Sequence, residues 1–223
     1  MNYRIRILGS IFLMLGAFTV VNALPAASGP TVKEDFVNAM SPNYEIWGAA
    51  DPFNRVDAFK GVLELEGSEG YEGFGIYFKQ QFDLSKGPVT VSFDMIRNGK
   101  TDGSEICVWF VNQYLIKGSP WDEGDFVRAQ FNSTDNKVAL QETSPQQRGM
   151  GTLLTEKPGV FTMGKKFHVD FIMDTTTVTV KIDGVETVKS EHHLKVPTGY
   201  VHLHDWHSLT GEIDYISNFT INL

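Results

Sequence analysis

The feature that most constrains the fold of this chain is a two-residue alternation of apolar and polar side chains, which is clearest within residues 167–188. In the stretch TVTVKI at 177–182, valine and isoleucine alternate with threonine and lysine, and this is the period of a β-strand with one buried face. The dipeptide Asp183-Gly184 follows directly. Because this dipeptide favours the two positive φ angles of a type I′ turn, the segment predicts an antiparallel hairpin.

Strand-like segments recur along the whole chain, and Gly, Pro, Asn or Asp separates most of them. None shows a sustained 3.6-residue apolar period, so little helix is expected. Many short strands without helices predict an all-β fold of two packed antiparallel sheets, and 223 residues fit one such domain. The predicted strands are 61–66, 74–82, 88–97, 105–112, 126–131, 137–142, 167–173, 176–183, 185–190, 199–205 and 212–222.

The alternation also assigns side chains to one face of each strand or the other. The intervening positions then point away from the core, and among them are Tyr77, Asp94, Arg128 and Gln130. We expect these four side chains to be exposed, together with Phe126. The predicted core positions are Phe74, Ile76, Phe78, Phe82, Val89, Val91, Phe93, Met95, Val127, Ala129 and Phe131.

The run from Ile106 to Val111 is apolar on both faces. One face of such a central strand packs on the core, and the other then lies under a bound ligand or a covering loop. That second face carries Cys107, Trp109 and Val111. Cys107 is the only cysteine of the chain and so forms no internal disulfide; we expect it to act as a small buried hydrophobe.

The first residues have the layout of a secretory signal peptide, because two arginines precede an uncharged stretch that ends in small residues. Cleavage would remove Arg4 and Arg6, which leaves 17 basic residues against 27 acidic ones and moves the formal net charge from −8 to −10. This acidic balance disfavours nucleic acid as a partner. We expect a secreted, extracellular or periplasmic protein without a membrane span after cleavage. The predicted divisions are a signal peptide at 1–23, a linker at 24–31 and a β-sandwich domain at 32–223.

Three stretches resemble the concanavalin A-like lectin and glucanase superfamily, whose members are jelly-roll β-sandwiches. FHVDFIMDTTTVTVKIDGVETV is similar to the segment in which these proteins run two strands and an Asp-Gly hairpin. GEIDYISNFTI is similar to their closing strand, and EDFVN followed by FKGVLELEG is similar to their opening. Together the three stretches bracket almost the whole predicted domain, so the resemblance implies a concanavalin A-like jelly roll without identifying a member family.

The resemblance also implies a structural calcium ion that joins the two ends of the domain. In this chain it would use Asp214, a carbonyl near Gly61 and either Asp35 or Glu34. Calcium binds six to eight hard oxygen ligands, and such a site would tie together chain ends that no disulfide holds. The alternative is that Asp214 pairs locally with another side chain.

The glucanases of this superfamily place two or three carboxylates on one strand as nucleophile and acid/base. The sequence EIDYIS lacks the acid/base glutamate, because Ile216 and Ser217 stand two and three residues after Asp214. We therefore predict no catalytic residue in this motif. An enzyme on the same scaffold remains an alternative, either an unusual glycoside hydrolase or a polysaccharide lyase. A lyase would use a His or Tyr base and groups that neutralise a uronate, for which the chain offers Tyr77, Arg128, Gln130, His202 and His204.

Aromatic residues beside polar ones predict a carbohydrate-binding surface, because sugar C–H patches stack on aromatic rings while neighbouring polar groups bond the hydroxyls. The loop NQYLIKGSPWDEGD and the stretch YVHLHDWHS have this composition. We predict a lectin-like domain that binds a polysaccharide or other glycan on its concave face; a third hypothesis is an adhesion module that recognises protein. The predicted contacts are Tyr77, Asp94, Trp109, Tyr114, Trp121, Arg128, Gln130, His202, His204 and Trp206.

Overall fold

The structure of the chain is a computed structural model, and it describes residues 31–37, 41–47, 55–66, 74–99, 103–114, 124–143, 151–206 and 211–223. The predicted signal peptide at 1–23 lies outside these residues, and so does all of the predicted linker except its last residue. In the part of the chain that is described, no helix has the length and apolar character needed to cross a membrane.

The described residues form fifteen β-strands and two short 3₁₀ helices, Leu84–Lys86 and Thr134–Asn136. In chain order the strands are β1 (Val32–Glu34), β2 (Tyr44–Trp47), β3 (Arg55–Phe59), β4 (Val62–Glu66), β5 (Phe74–Asp83), β6 (Val89–Ile96), β7 (Glu105–Val111), β8 (Phe126–Asn132), β9 (Lys137–Thr143), β10 (Thr152–Lys157), β11 (Lys166–Met173), β12 (Thr177–Ile182), β13 (Val185–Glu191), β14 (Thr198–Trp206) and β15 (Ile213–Asn222). All eleven predicted strands are present. The four that the alternation did not predict are β1, β2, β3 and β10.

The strands pair antiparallel in two sheets. The first sheet has the order β13, β12, β11, β6, β15, β4 and β3, and β1 pairs with β15 as well. The second sheet has the order β10, β9, β8, β7, β14, β5 and β2. Consecutive strands often lie in different sheets: the chain runs from β6 in the first sheet to β7–β10 in the second, returns to the first for β11–β13, and crosses again for β14 and for β15. The predicted class, an all-β sandwich of two antiparallel sheets, is confirmed.

The core lies between the two sheets and follows the predicted alternation. Every predicted core position is buried and belongs to one apolar cluster. Aromatic rings join the sheets across this layer: the ring of Phe78 on β5 stacks on that of Phe219 on β15, with centroids 4.5 Å apart. Phe93 on β6 meets Phe131 on β8 edge-on at 6.5 Å.

The hairpin that the sequence predicts joins β12 to β13. Asp183 and Gly184 have φ angles of 50° and 79°, so both central residues of the turn are in the left-handed region, as a type I′ turn requires. Val180 pairs with Val188 across this hairpin. The register shifts by one residue between Lys181 and Val180, so a bulge after the turn is what places these two buried valines opposite each other.

Candidate functional site

The candidate site lies on the face of the second sheet that points away from the core, here called the outer face. Strand register brings chemically distinctive side chains into two adjacent rows across six strands, because residues paired in register lie on the same side of a sheet. The first row is Gln141, Arg128, Trp109, His202, Tyr77 and Glu45. The second row is Ala139, Gln130, Cys107, His204, Gly75 and Trp47.

The rings of the two rows stack on one another. His202 lies on Tyr77 with ring centroids 3.9 Å apart, and Trp47 lies on His204 at 5.0 Å and on Tyr77 at 5.7 Å. Trp109 is 5.1 Å from His204. The site is therefore a continuous aromatic layer that spans β2, β5, β14 and β7.

Gly75 is what allows Trp47 and His204 to meet. Both residues pair in register with Gly75, one on each side of β5, and a glycine leaves no side chain between them. A Cβ at this position would also lie only 1.8 Å from the carbonyl oxygen of Leu203. The local approach of β5 to β14 therefore requires glycine.

Five polar atoms of three side chains in this layer, Tyr77, His202 and His204, are buried without a hydrogen-bond partner in the part of the chain that the structure describes. They are the hydroxyl oxygen of Tyr77 and both ring nitrogens of His202 and of His204. The three side chains expose 1% of their surface or less. A buried polar atom that lacks a partner costs about 1–3 kcal/mol, and most buried polar groups in folded proteins are paired with protein or water. A cluster of five such atoms is therefore a candidate position for a polar ligand.

Burial keeps these groups uncharged. It lowers the pKa of His204 to about 3, with a further contribution from the positive charge of Arg128, and it lowers the pKa of His202 well below its usual range, an effect to which His204 adds. Burial also raises the pKa of the Tyr77 hydroxyl above its usual range. Near neutral pH each histidine therefore offers one ring N–H donor and one acceptor nitrogen, and Tyr77 keeps its O–H.

Arg128 is the cation of the first row, and its guanidinium group already contacts other side chains of the protein. Nε and Nη2 donate to Oε1 of Gln141 at 2.9 and 2.5 Å. Nη1 lies 3.5 Å from Oε1 of Glu105, and the guanidinium carbon lies 4.8 Å from the ring centroid of Trp109. The predicted polar contact at Arg128 is thus buried within a network of protein contacts.

Cys107 lies beside this network. Its Sγ is 3.6 Å from Oε1 of Glu105 and 3.6 Å from Nη1 of Arg128. Burial, and then the charge of Glu105, raises the pKa of its thiol well above the usual range. The thiol is therefore protonated, and the prediction that Cys107 is a small buried hydrophobe is confirmed by its cluster with Trp109, Val111 and Phe126.

Half-buried aromatic residues surround the layer and are here called the rim. The rim consists of Trp47, Tyr114, Tyr200 and Trp206. The ring of Tyr114 packs 5.2 Å from that of Tyr200 and 6.3 Å from that of Tyr77. His202, His204 and Tyr77, which lie deeper, are here called the floor.

Most of the predicted contact residues meet on this face. Tyr77, Trp109, Arg128, Gln130, His202 and His204 lie in the two rows, and Tyr114 and Trp206 lie at the rim. Trp121 is outside the described residues. The expected exposure is wrong: Phe126, Arg128 and Gln130 point away from the core as predicted, but they are buried, as are Trp109 and the floor, because neighbouring rings and polar side chains pack closely over the face.

Asp94 does not belong to this face, and its predicted place beside the other contacts is wrong. It lies on β6 in the first sheet, where its carboxylate accepts hydrogen bonds from His168 at 2.8 Å, Asn218 at 2.7 Å and Lys166 at 2.7 Å. Burial alone would raise the pKa of Asp94, but these bonds lower it to about 2. Asp94 also lines a groove of about 210 Å³ with Val62, Ile96, Lys166, Tyr215 and Ser217.

The calcium site that the resemblance implied does not fit the structure. Asp214 is buried and accepts hydrogen bonds from Arg97 and from the backbone N–H groups of Asn98 and Gly99, so donors 115 to 117 positions away in the sequence occupy its carboxylate. Asp35 and Gly61 do lie together. Asp214, however, pairs with Leu65, four residues along β4 from Gly61, or about 13 Å at strand spacing.

Within the described residues, no other cluster takes the place of this site. Among the described residues, no group of three His, Cys, Asp or Glu side chains is arranged to hold a metal ion. Glu34, the alternative acidic ligand, is itself used locally, because its carboxylate accepts hydrogen bonds from Ser41 and Asn43.

Three residues of the site were not predicted from the sequence. Trp47 lies outside the predicted strands, Gly75 interrupts an alternating strand, and Gln141 stands in an ordinary polar position. The usable signal was Gly75, since a glycine inside a strand often marks a close approach of backbone or ring. Its role depends on β2 and β14 as neighbours, which the alternation does not provide.

Comparison with known proteins gives a fold and no family. No protein-family model matches the chain, and no curated protein sequence matches it. Solved structures do match. The carbohydrate-recognition domain of Emp47p is 12% identical with a TM-score of 0.63 and covers 86% of this chain and 94% of its own. A β-glucanase from Bacillus licheniformis is 12% identical with a TM-score of 0.61 and covers 87% and 98%.

The exoplasmic/lumenal domain of VIP36, solved with Ca²⁺ and Man3GlcNAc, is 11% identical with a TM-score of 0.61 and covers 86% of this chain and 90% of its own. Similarities at this level of identity establish the architecture. The fold is therefore a jelly-roll β-sandwich of the concanavalin A-like type, as the sequence resemblance implied.

Proposed function

We propose that this chain is a secreted, lectin-like domain that binds a glycan on the outer face of its second sheet. The observation that carries the proposal is the floor, where five buried polar atoms of Tyr77, His202 and His204 have no protein partner in the described residues and lie within a layer of stacked aromatic rings. Similar folds include a carbohydrate-recognition domain and a lumenal domain solved with an oligosaccharide, which supports this choice of ligand.

Sugar chemistry matches this arrangement. A hydroxyl group both donates and accepts a hydrogen bond, and each neutral histidine of the floor offers one donor and one acceptor. The C–H faces of a pyranose stack on aromatic rings, and Trp47 and Trp206 are half-buried at the rim. A sugar at this face would thus satisfy the floor atoms and stack on a rim ring together.

The burial of the floor defines how a glycan would enter. The indole of Trp47 lies over both Tyr77 and His204, so a sugar ring reaches those two side chains by displacing this indole and taking over its stacking. Binding then selects a conformation in which Trp47 has moved, and the cost of that movement reduces the apparent affinity. We expect micromolar or weaker binding of a single sugar unit.

The substitution Tyr77→Phe tests the site because it removes only the hydroxyl. This oxygen has no hydrogen-bond partner within the described chain, so its loss leaves the free energy of unfolding unchanged or slightly increased. If the hydroxyl bonds a sugar, affinity falls about 3- to 10-fold, the value of one net hydrogen bond. Affinity is measured by retardation in polysaccharide gels and by calorimetry on the glycans that retard the protein.

Tyr44→Phe is the matched control. Tyr44 lies on the same strand as Trp47 but points into the core, where its ring packs edge-on against Phe78 at 5.9 Å. The control should bind glycan as the wild type does. Failure of every polysaccharide to retard the protein would overturn the proposed function, and equal affinity of wild type and Tyr77→Phe would overturn this assignment of the site.

A further inference from the structure

We infer that the glycan bound at the outer face is uncharged. This inference rests on the proposed function and specifies its ligand class. Two independent features of the face carry it: the pairing of its cations with protein carboxylates, and the mixed donor and acceptor character of the floor.

The cations of the outer face are already paired. On the described strands of the second sheet, each lysine or arginine that points to this face lies within 3.5 Å of a glutamate oxygen. An acidic glycan gains affinity from a cation that can turn toward its carboxylate or sulfate, and here a protein carboxylate competes for each of them. The pairs are Arg128 with Glu105 at 3.5 Å, Lys79 with Glu45 at 3.5 Å, and Lys137 with Glu156 at 3.1 Å.

Arg128 would have to give up several contacts to bind an anion. It donates to Gln141 through two nitrogens and lies over the ring of Trp109 as well as beside Glu105. Since Arg128 is buried, the loss of these contacts would leave Glu105, which is also buried, without its counter-charge. Separation of a buried ion pair is strongly unfavourable, so the network disfavours a ligand carboxylate.

The floor has the hydrogen-bonding character of a hydroxyl site. A carboxylate only accepts hydrogen bonds, so it pairs with N–H donors and is repelled by the acceptor nitrogen of a neutral imidazole. His202 and His204 each present one such acceptor, because burial holds their pKa values far below neutral pH. Hydroxyl groups match both nitrogens of each ring, and they are the main hydrogen-bonding groups of an uncharged glycan.

The same features bear on uronate-cleaving chemistry. A lyase neutralises the uronate carboxyl with cationic or donor groups and removes a proton with a base. Arg128 is occupied by protein groups, and the Tyr77 hydroxyl holds its proton because burial raises its pKa. These properties of Arg128 and Tyr77 favour a face that binds an uncharged glycan over one that cleaves a uronate by elimination.

Pairs of polysaccharides with the same backbone and a different charge test the inference. We would measure dissociation constants for methyl-esterified and de-esterified homogalacturonan, and for a set of uncharged glucans and mannans beside their carboxymethyl derivatives. Each is measured at about 50 and about 300 mM salt, between which the Debye length falls roughly twofold. We expect each glycan that binds to do so at least about tenfold more tightly in its uncharged form, with little dependence on salt.

Glu105→Gln provides a gain-of-binding test, since it removes the carboxylate that pairs with Arg128. The variant should bind carboxymethyl glycan more tightly relative to the uncharged form than the wild type does. Glu186→Gln is its control, because it removes the same charge from an exposed position on β13 of the first sheet and should leave the preference unchanged. Far-ultraviolet circular dichroism verifies that both variants fold, and the wild-type comparison stands without them.

The outcomes separate the two proposals. Tighter binding of the charged form, weakened by salt, would overturn the inference and leave the proposed glycan-binding function intact. Absence of binding to any polysaccharide, charged or uncharged, would overturn both. Preference for the uncharged form in the wild type, shifted toward the charged form by Glu105→Gln only, would support the inference.

Discussion

His202 and His204 are two residues apart on β14, and their imidazoles are among the most buried polar groups of the chain. The sequence placed them on one face of a strand because the two-residue period requires it. It did not predict that they would be closed to solvent, since their burial depends on Tyr77, Trp47 and Trp109 from three other strands. Burial is also what makes them neutral, which is the property that the proposed ligand uses.

The neutral state of His204 makes stability depend on pH. Its pKa is lowered to about 3 in the fold, whereas an unfolded histidine titrates near 6.5. The unfolded chain therefore takes up a proton that the fold excludes, and stability present above pH 6.5 is lost as the pH falls from 6.5 toward 3. Each such histidine contributes a loss of about 1.4 kcal/mol per pH unit in that window.

The substitution His204→Phe isolates this effect. Urea unfolding between pH 6.5 and 4.5 should show a pH dependence of the unfolding free energy that is smaller in the variant than in the wild type by about 1.4 kcal/mol per unit. Subtracting the two curves removes the contributions of the carboxylates and other histidines. Parallel curves would show that His204 is protonated or exposed in the fold.

Strand β5 organises the site at the scale of secondary structure. Its core side carries Phe74, Ile76 and Phe78, which the alternation predicted, and its outer side carries Gly75 and Tyr77. The sequence showed which side each residue takes. It did not show that β2 and β14 flank β5. Strand order results from pairing between segments that are distant in the chain, and the apolar period of one strand does not specify its neighbours.

Gly75→Ala should disrupt this element. A Cβ at position 75 would lie 1.8 Å from the Leu203 carbonyl oxygen, so β5 must separate from β14 or the backbone must shift. We expect the free energy of unfolding, measured in urea, to fall by at least about 3 kcal/mol, in the range of overpacked buried positions or above.

Gly159→Ala is the control: it has a positive φ of 68° but no atom within 4 Å of the added Cβ, so it should cost about 1–2 kcal/mol. Equal costs for the two variants would contradict the close approach at Gly75.

At the scale of the whole molecule, a buried ion pair links the two sheets. Arg97 follows β6, binds Asp214 on β15, and donates to Ser104 just before β7 at 3.0 Å. The pair thus joins the end of β6 and strand β15 in the first sheet to the start of β7 in the second. The sequence resemblance assigned Asp214 to calcium, because the partner Arg97 is 117 positions away and local spacing gives no sign of it.

Asp214→Asn should therefore destabilise the fold by about 3–5 kcal/mol, the effect of leaving a buried cation without its partner. The loss should be the same in calcium and in a chelator, since Arg97 rather than a metal ion occupies the carboxylate. Thermal and urea unfolding under both conditions measure it. A loss that shrinks when calcium is removed would instead assign Asp214 to a metal site.

The whole fold was largely predictable because its main determinant, a two-residue apolar period with turn residues between the strands, is local. The exceptions β1, β2 and β3 are short, and β10 is mostly exposed, so none of them shows a strong period. The site was predictable as a set of residues on one face. Three properties of the site were not predictable: the burial of its side chains, the location of Asp94 on the other sheet and the pairing of its cations. All three depend on which strands become neighbours.

The central claim is that a glycan contacts the outer face of the second sheet, and side-chain NMR tests it most directly. In a titration with a polysaccharide that retards the protein, we predict saturable shifts of the imidazole resonances of His202 and His204 and of the ring of Tyr77, with no change at His168 beside Asp94 on the first sheet. Saturable binding that shifts His168 and leaves His202 and His204 unchanged would contradict the account.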